Sequence, residues 1–191
     1  MKTFLVAMMA VMLGAAALFA GDEENVKALV LKDWQMAAEG KFTENLALRA
    51  PDYIDKEGNV TFSYEQSKWL LTSLDGKHPM EFLLALVTIK LHGAKIPADT
   101  MAQIREEARK PEFIRYYETA YPQLASELKN RAAFELKTLK FISAKVDGNS
   151  ATVVVEYKRK CSTIPVTETV SLRRFGGAWK ISMVVVVGDD D

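Results

Sequence analysis

Apolar and polar positions fall into two spacing regimes, preceded by one continuous apolar stretch. That stretch runs from Phe4 to Ala20, after Met1, Lys2 and Thr3. Beyond it, Val26, Leu29, Val30, Trp34 and Ala37 recur at helical spacing with Lys27, Lys32 and Gln35 between them. This predicts one amphipathic helix ended by Glu39-Gly40. Phe42 to Ala50 reads as a second, short helix stopped by Pro51. Tyr53-Ile54 and Val60-Thr61-Phe62 flank Asp55-Lys56-Glu57-Gly58-Asn59, which predicts a small hairpin. Ser63 or Tyr64 opens a helix carrying Trp69, Leu70 and Leu74, ended by Asp75-Gly76. Pro79 opens another, whose residues from Met80 to Leu91 are apolar on nearly every side and so are expected to be buried. Pro97-Ala98-Asp99 opens a helix with Met101, Ile104 and Ala108 inward. Pro111 opens the next, with Phe113, Tyr116, Tyr117 and Ala120, and Pro122 is expected to kink or restart it.

From Leu139 the period becomes two. Phe141 to Val146 runs into the turn Asp147-Gly148-Asn149. Ala151, Val153, Val155 and Tyr157 alternate with polar residues, as do Val166, Val170 and Leu172. After Gly176-Gly177, Trp179, Ile181, Met183, Val185 and Val187 are expected on one face of a last strand. The sum is a four-stranded antiparallel meander with one buried face.

The order of a short basic start, an apolar run and small residues is that of a signal peptide. Cleavage after Ala20 leaves Gly21-Asp22-Glu23-Glu24 at the front, with Ala15-Ala16-Ala17 as an alternative site. An uncleaved anchor helix is the competing reading of a run nearly long enough to span a bilayer. The expected organisation is a signal peptide (1–20), one soluble α+β domain (21–188) and an acidic tail, Asp189-Asp190-Asp191. Export places the domain in the periplasm or outside the cell, with no stable membrane span in the mature chain.

Charge narrows the function classes. The chain holds 25 basic and 25 acidic residues; losing Lys2 with residues 1–20 leaves 24 against 25. A nucleic-acid partner is not expected without a basic excess. The single cysteine, Cys161, excludes an intrachain disulfide; it is read as buried and inert, or as a bridge in a homodimer.

Two stretches resemble the nuclear transport factor 2-like superfamily of cone-shaped α+β domains. One is Val30-Leu31-Lys32-Asp33-Trp34-Gln35-Met36-Ala37-Ala38-Glu39-Gly40-Lys41-Phe42, similar to that superfamily's opening helix. The other is Ile142 to Thr152 with Val170 to Ser182, including Asp147-Gly148-Asn149 and Phe175-Gly176-Gly177-Ala178-Trp179-Lys180-Ile181, similar to its closing hairpins. The resemblance implies N-terminal helices packed on a curved C-terminal antiparallel sheet, cone-like, with a cavity. Such domains include steroid isomerases and small dehydratases beside many non-catalytic modules, so fold does not decide function.

No nucleophile elbow, phosphate loop, dinucleotide fingerprint or metal-ligand spacing occurs, and no cofactor is expected. His78 and His92 read as solvated helix-end residues. Asp33, beside Trp34 on the opening helix, is the one candidate base, if aromatics desolvate it; Tyr53 and Tyr64 are candidate hydroxyl donors. Trp69 belongs to an aromatic set with Phe82, Phe113, Tyr116, Tyr117 and Tyr121 that lines a pocket or simply fills the core. Tyr157 and Trp179 belong to the buried sheet face. The expected function is therefore an exported non-catalytic module. It binds a small apolar ligand or a partner protein through Trp34, Tyr53, Tyr64, Trp69, Tyr157 and Trp179. The alternative is an isomerase- or lyase-type enzyme using Asp33.

Overall fold

The computed structural model describes residues 21–160, 162 and 164–187 in full, and residues 2–20 only as backbone of the first helix. The expected signal peptide, Cys161 and the acidic tail lie outside the fully described residues.

Helix α1 (Lys2–Glu39) ends where its sequence signals predict. Gly40 takes φ +79°, and the amides of Gly40 and Lys41 donate to the carbonyls of Ala37 (3.0 Å) and Met36 (2.8 Å). This double bond over a left-handed glycine satisfies the carbonyls at the helix end. The expected second helix is shorter than read: α2 is Phe42–Asn45, followed by a single 3-10 turn. Strand β1 (Arg49–Glu57) then takes up Pro51, and β2 (Val60–Ser63) completes the expected hairpin. Pro51 fits a strand because it falls in an irregularity of the pairing, where no ladder amide is required.

Four helices follow: α3 (Tyr64–Ser73), α4 (Pro79–Lys90), α5 (Ala98–Glu107) and α6 (Pro111–Thr138). Helix α6 is continuous through Pro122, so of the two expected effects the restart does not occur. Ser63 caps α3 reciprocally with Gln66, whose Nε2 also donates to the Gly93 carbonyl at 2.8 Å. Gly93 lies so close to β2 that a Cβ there would sit 2.0 Å from the Thr61 oxygen, so the loop after α4 is sealed onto the hairpin. The aromatic set of the helical half packs on itself. Phe82 and Tyr117 rings are 5.2 Å apart, and the Tyr117 hydroxyl donates to the Ser73 carbonyl at 2.7 Å.

The last four strands, β3 (Lys140–Asp147), β4 (Ser150–Lys158), β5 (Pro165–Phe175) and β6 (Ala178–Val187), form the expected antiparallel meander. The sheet is larger and mixed, however, because β1 pairs in parallel with β6, giving the order β2-β1-β6-β5-β4-β3. Three irregularities bend it. Ile142 is an extra residue on β3, Ser182 is an extra residue on β6, and β1 bulges between Arg49 and Ile54. A bulge kinks its strand and increases the local twist.

The Ser182 bulge corrects the expected face of β6. Trp179 and Ile181 face the core before it; Val184 and Val186 do so after it. Met183, Val185 and Val187 therefore do not share the face of Trp179. The core lies between α1 and the concave side of the sheet, where Val26, Val30 and Trp34 meet Val153, Val155, Tyr157, Val170, Leu172 and Ile181. The result is the α+β arrangement that the resemblance implied, with helices packed on a curved sheet. Among the described residues no helix is long and apolar enough to cross a membrane.

Candidate functional site

The concave sheet face is not filled along its whole length. Near the C-terminal end of β1 it opens into a cavity of about 250 Å3 between the sheet and helices α1, α2, α3 and α6. The apolar part of its wall includes Trp34, Phe42, Leu70, Leu71, Val184 and Val186. Much of the remainder is charged, which an apolar pocket would not require.

Most of the charged residues are delivered by regular elements. Alternation along β1 puts Tyr53, Asp55 and Glu57 on the inward face. The same alternation along β5 puts Glu168 in line with Val166, Val170 and Leu172, on the side facing the helices. From α6, Arg131 and Glu135 stand one helical turn apart. Arg159 follows the end of β4.

Three ion pairs organise the wall. Arg49 donates through Nη1 to the Asp33 carboxylate and to the Asn45 side-chain oxygen, while Asn45 Nδ2 donates to the Asp33 carbonyl at 2.9 Å. Arg159 donates to Glu57. Arg131 Nε donates to Glu135 Oε1 at 2.9 Å. Burial works against the Arg49 charge, but Asp33, Tyr53 and Asp55 together outweigh it, and the guanidinium is held above its ordinary range. The Nε atoms of both Arg49 and Arg159 are buried without a protein partner.

Two carboxyl groups of the wall, Asp55 and Glu168, have no ion-pair partner among the described residues. Glu168 is only 8% exposed. It accepts the Tyr157 hydroxyl on Oε2 at 3.4 Å. Burial, then the negative charges of Asp33 and Asp55, push its carboxyl up to about 8. Burial also raises Asp55 against the opposing charge of Arg49. Glu135 is raised by burial too, with Arg131 opposing. The Tyr53 and Tyr157 hydroxyls are pushed well above the ordinary phenol range, chiefly by burial. At neutral pH the floor is thus a neutral carboxylic acid beside a neutral tyrosine, both able to donate a hydrogen bond.

The structure separates the residues singled out from sequence. Asp33, Trp34, Tyr53 and Tyr157 line the cavity. Trp34 and Tyr157 meet edge to face at 4.7 Å. Tyr64 packs against the main core instead, and Trp69 lines a separate cleft of about 380 Å3 with Gln66, Lys95 and Met101. Trp179 lies beside Asp22 of α1, its ring 4.7 Å from the Arg174 guanidinium, which donates to Asp22 at 2.6 Å. Asp33 is engaged by Arg49, so it is not the free base that reading needed. Asp55, Glu57, Glu168, Arg49, Arg131, Glu135 and Arg159 were missed. For Glu168 the signal existed: it occupies an inward position in an otherwise apolar alternation.

The fold and site together define a class: an α+β domain whose curved sheet and covering helices enclose a charged cavity. In solved structures the chain is similar to a nuclear transport factor 2-like protein with a cystatin-like fold from Novosphingobium aromaticivorans. That match has 12% identity and a TM-score of 0.45, covering 93% of this chain and 88% of that one. It is similar also to a protein of that superfamily, of unknown function, from Silicibacter pomeroyi, at 12% identity and a TM-score of 0.42, covering 88% and 96%. A de novo designed protein with a curved β-sheet matches at 11% identity and a TM-score of 0.40, covering 86% and 99%. No protein-family model and no curated protein matches the chain.

Proposed function

We propose that this is an exported module that binds one small polar molecule in the cavity walled by Asp55, Tyr157 and Glu168. The observation that carries this reading is Glu168. A carboxyl group on a buried, otherwise apolar sheet face costs stability, and local rules of this kind are broken chiefly at functional sites. A recess of about 250 Å3 suits a small ligand better than a protein surface, and its charged wall suits a polar ligand better than an apolar one. Native mass spectrometry of the protein purified from its own host tests the reading. A retained small molecule that is lost in Glu168→Gln is the expected result; an empty cavity in the wild type counts against it.

Export rests on the order of charge and apolar residues before Gly21. Intact-mass measurement on cell fractions should find the chain beginning near Gly21 outside the cytoplasm. An intact Met1 confined to the cytoplasmic fraction overturns export.

One observation favours a second reading, proton-transfer catalysis of the isomerase or lyase type. Glu168 as a neutral acid and Tyr157 as a neutral phenol lie side by side in the cavity, an arrangement able to stabilise a developing oxyanion. The base then is Asp55 rather than Asp33. Turnover of a bound ligand, lost in Asp55→Asn with binding kept, separates this reading from simple binding.

A further inference from the structure

We propose that the ligand class of this cavity is a small organic cation of the primary ammonium type, its charged head met by Asp55 and Glu168. The inference rests on the small-ligand reading above and narrows it to one chemistry.

The argument begins with charge pairing. Among the charged residues that line the cavity, Asp33 with Arg49, Glu57 with Arg159, and Glu135 with Arg131 form three ion pairs. Each arginine of the wall is thereby paired with a carboxylate, although the Nε–H of Arg49 and of Arg159 stays without a partner, and no lysine lines the cavity. Asp55 and Glu168 remain. With every group ionised the wall carries two negative charges in excess, so an anionic ligand meets net repulsion and a cation meets net attraction.

Geometry agrees. Glu168 is nine-tenths buried, and its Oε2 accepts the Tyr157 hydroxyl, whereas Oε1 has no hydrogen-bond donor among the described residues. An ammonium group offers three N–H donors, enough to engage Oε1 and Asp55 together. The apolar side of the recess, Trp34, Phe42, Leu70 and Leu71, accommodates a short hydrocarbon stem.

The charges around Glu168 say what happens to its proton. Asp33 of α1, Asp55 of β1 and Glu135 of α6 disfavour ionisation, and the Tyr157 hydroxyl of β4 favours it. Arg49 and Arg159 are held by their own partners. Without ligand, Glu168 keeps its proton at pH 7. An ammonium in the cavity reverses the balance, so Glu168 releases a proton as the cation arrives.

The test is titration calorimetry of the purified protein at pH 7 with n-butylammonium chloride, 1-butanol and sodium butyrate, in two buffers of different ionisation enthalpy. Butylammonium should bind at least roughly tenfold more tightly than either isostere. Its binding should release a proton fraction approaching one, and the release should vanish in Glu168→Gln. Glu168→Gln and Asp55→Asn should each weaken the amine by roughly tenfold or more while keeping the wild-type circular dichroism. Preference for butanol or butyrate overturns the cation inference and leaves small-ligand binding standing. Amine binding that is indifferent to Glu168→Gln, or that occurs without proton release, also overturns it. Failure of all three probes to bind overturns the cation inference, while the small-ligand reading stands or falls on native mass spectrometry.

Discussion

Glu168 on β5 accepts a hydrogen bond from Tyr157 on β4, one of the few polar contacts made inside the concave face of the sheet. The hydrogen bond from Tyr157 favours the ionised carboxylate, but burial and the neighbouring carboxylates outweigh it. Burial raises both, and the proximity of Glu168 adds to the rise of Tyr157.

The pair predicts an inverted pH dependence of stability. Folding lifts the Glu168 carboxyl from an ordinary 4.5 to about 8, so the folded state binds the proton more tightly than the unfolded one. Below the ordinary value both states are protonated and the group costs nothing. Between about pH 4.5 and pH 8 only the folded state holds the proton, so stability falls as pH rises, by up to about 1.4 kcal/mol per pH unit. Asp55 and Glu135, also raised, add in the same direction. Denaturant melts from pH 5 to pH 8 should show this decline, and Glu168→Gln should flatten it and be the more stable form at pH 8. A wild-type midpoint that climbs across that window contradicts the burial of Glu168.

Arg49 should matter more for stability than an exposed arginine. It ties α1 to β1 by donating to Asp33 and Asn45 at once, and its ring contact with Tyr53 is 4.9 Å. Arg49→Ala leaves Asp33 without its counter-charge in a largely enclosed position, and should cost about 3 kcal/mol. The double variant Arg49→Met/Asp33→Asn removes both charges and should recover most of that loss. Urea melts of the two variants measure the difference; equal losses would show that the ion pair is not the source.

Much of the fold is legible in the sequence because spacing, caps and turns agree. Gly40, Pro79, Pro111 and the Asp147-Gly148-Asn149 turn all stand where elements end or begin. What sequence does not reveal depends on partners distant in the chain. Parallel pairing of β1 with β6 joins residues 49–57 to residues 181–186, and no local signal announces it. Pro51 reads as a helix stop although it belongs to a strand irregularity. The site is less legible still. Asp33 attracts notice because it adjoins Trp34, yet Arg49, sixteen positions on, neutralises it. Glu168 is the opposite case: in Val166-Thr167-Glu168-Thr169-Val170-Ser171-Leu172 the alternation assigns it to the core side, and a charge there is the anomaly that marks the cavity.

Trp179 should behave as a brace and not as a ligand contact. It is half-buried against the core, with Arg174 over its ring and Asp22 3.4 Å from its Nε1. Trp179→Ala should cost about 2 kcal/mol, below the roughly 3–5 kcal/mol typical of a fully buried tryptophan. Ligand affinity of the cavity should be unchanged, since Trp179 does not line it. Loss of binding with stability intact would place Trp179 in the site.

The Ser182 bulge makes a sharper prediction, because it reverses the facing of every later residue on β6. Ser171 pairs with Met183 and Leu172 with Ile181, so one residue of β6 is left over between them. An unbroken strand would put Met183 and Val185 on the core face with Trp179 and Ile181, and Val184 outside. With the bulge, Val184 is 8% exposed and packs in the main core, while Val185 faces away from it. Val184→Asp should therefore bury a charge beside Asp55 and Glu168 and cost about 3 kcal/mol or more. Val185→Asp loses only strand preference and part of its packing, and should cost about 1 kcal/mol. Urea melts of the two single variants at one pH decide the register. If Val185→Asp proves the more damaging, β6 runs without a bulge, and Val184 and Val186 leave the cavity wall.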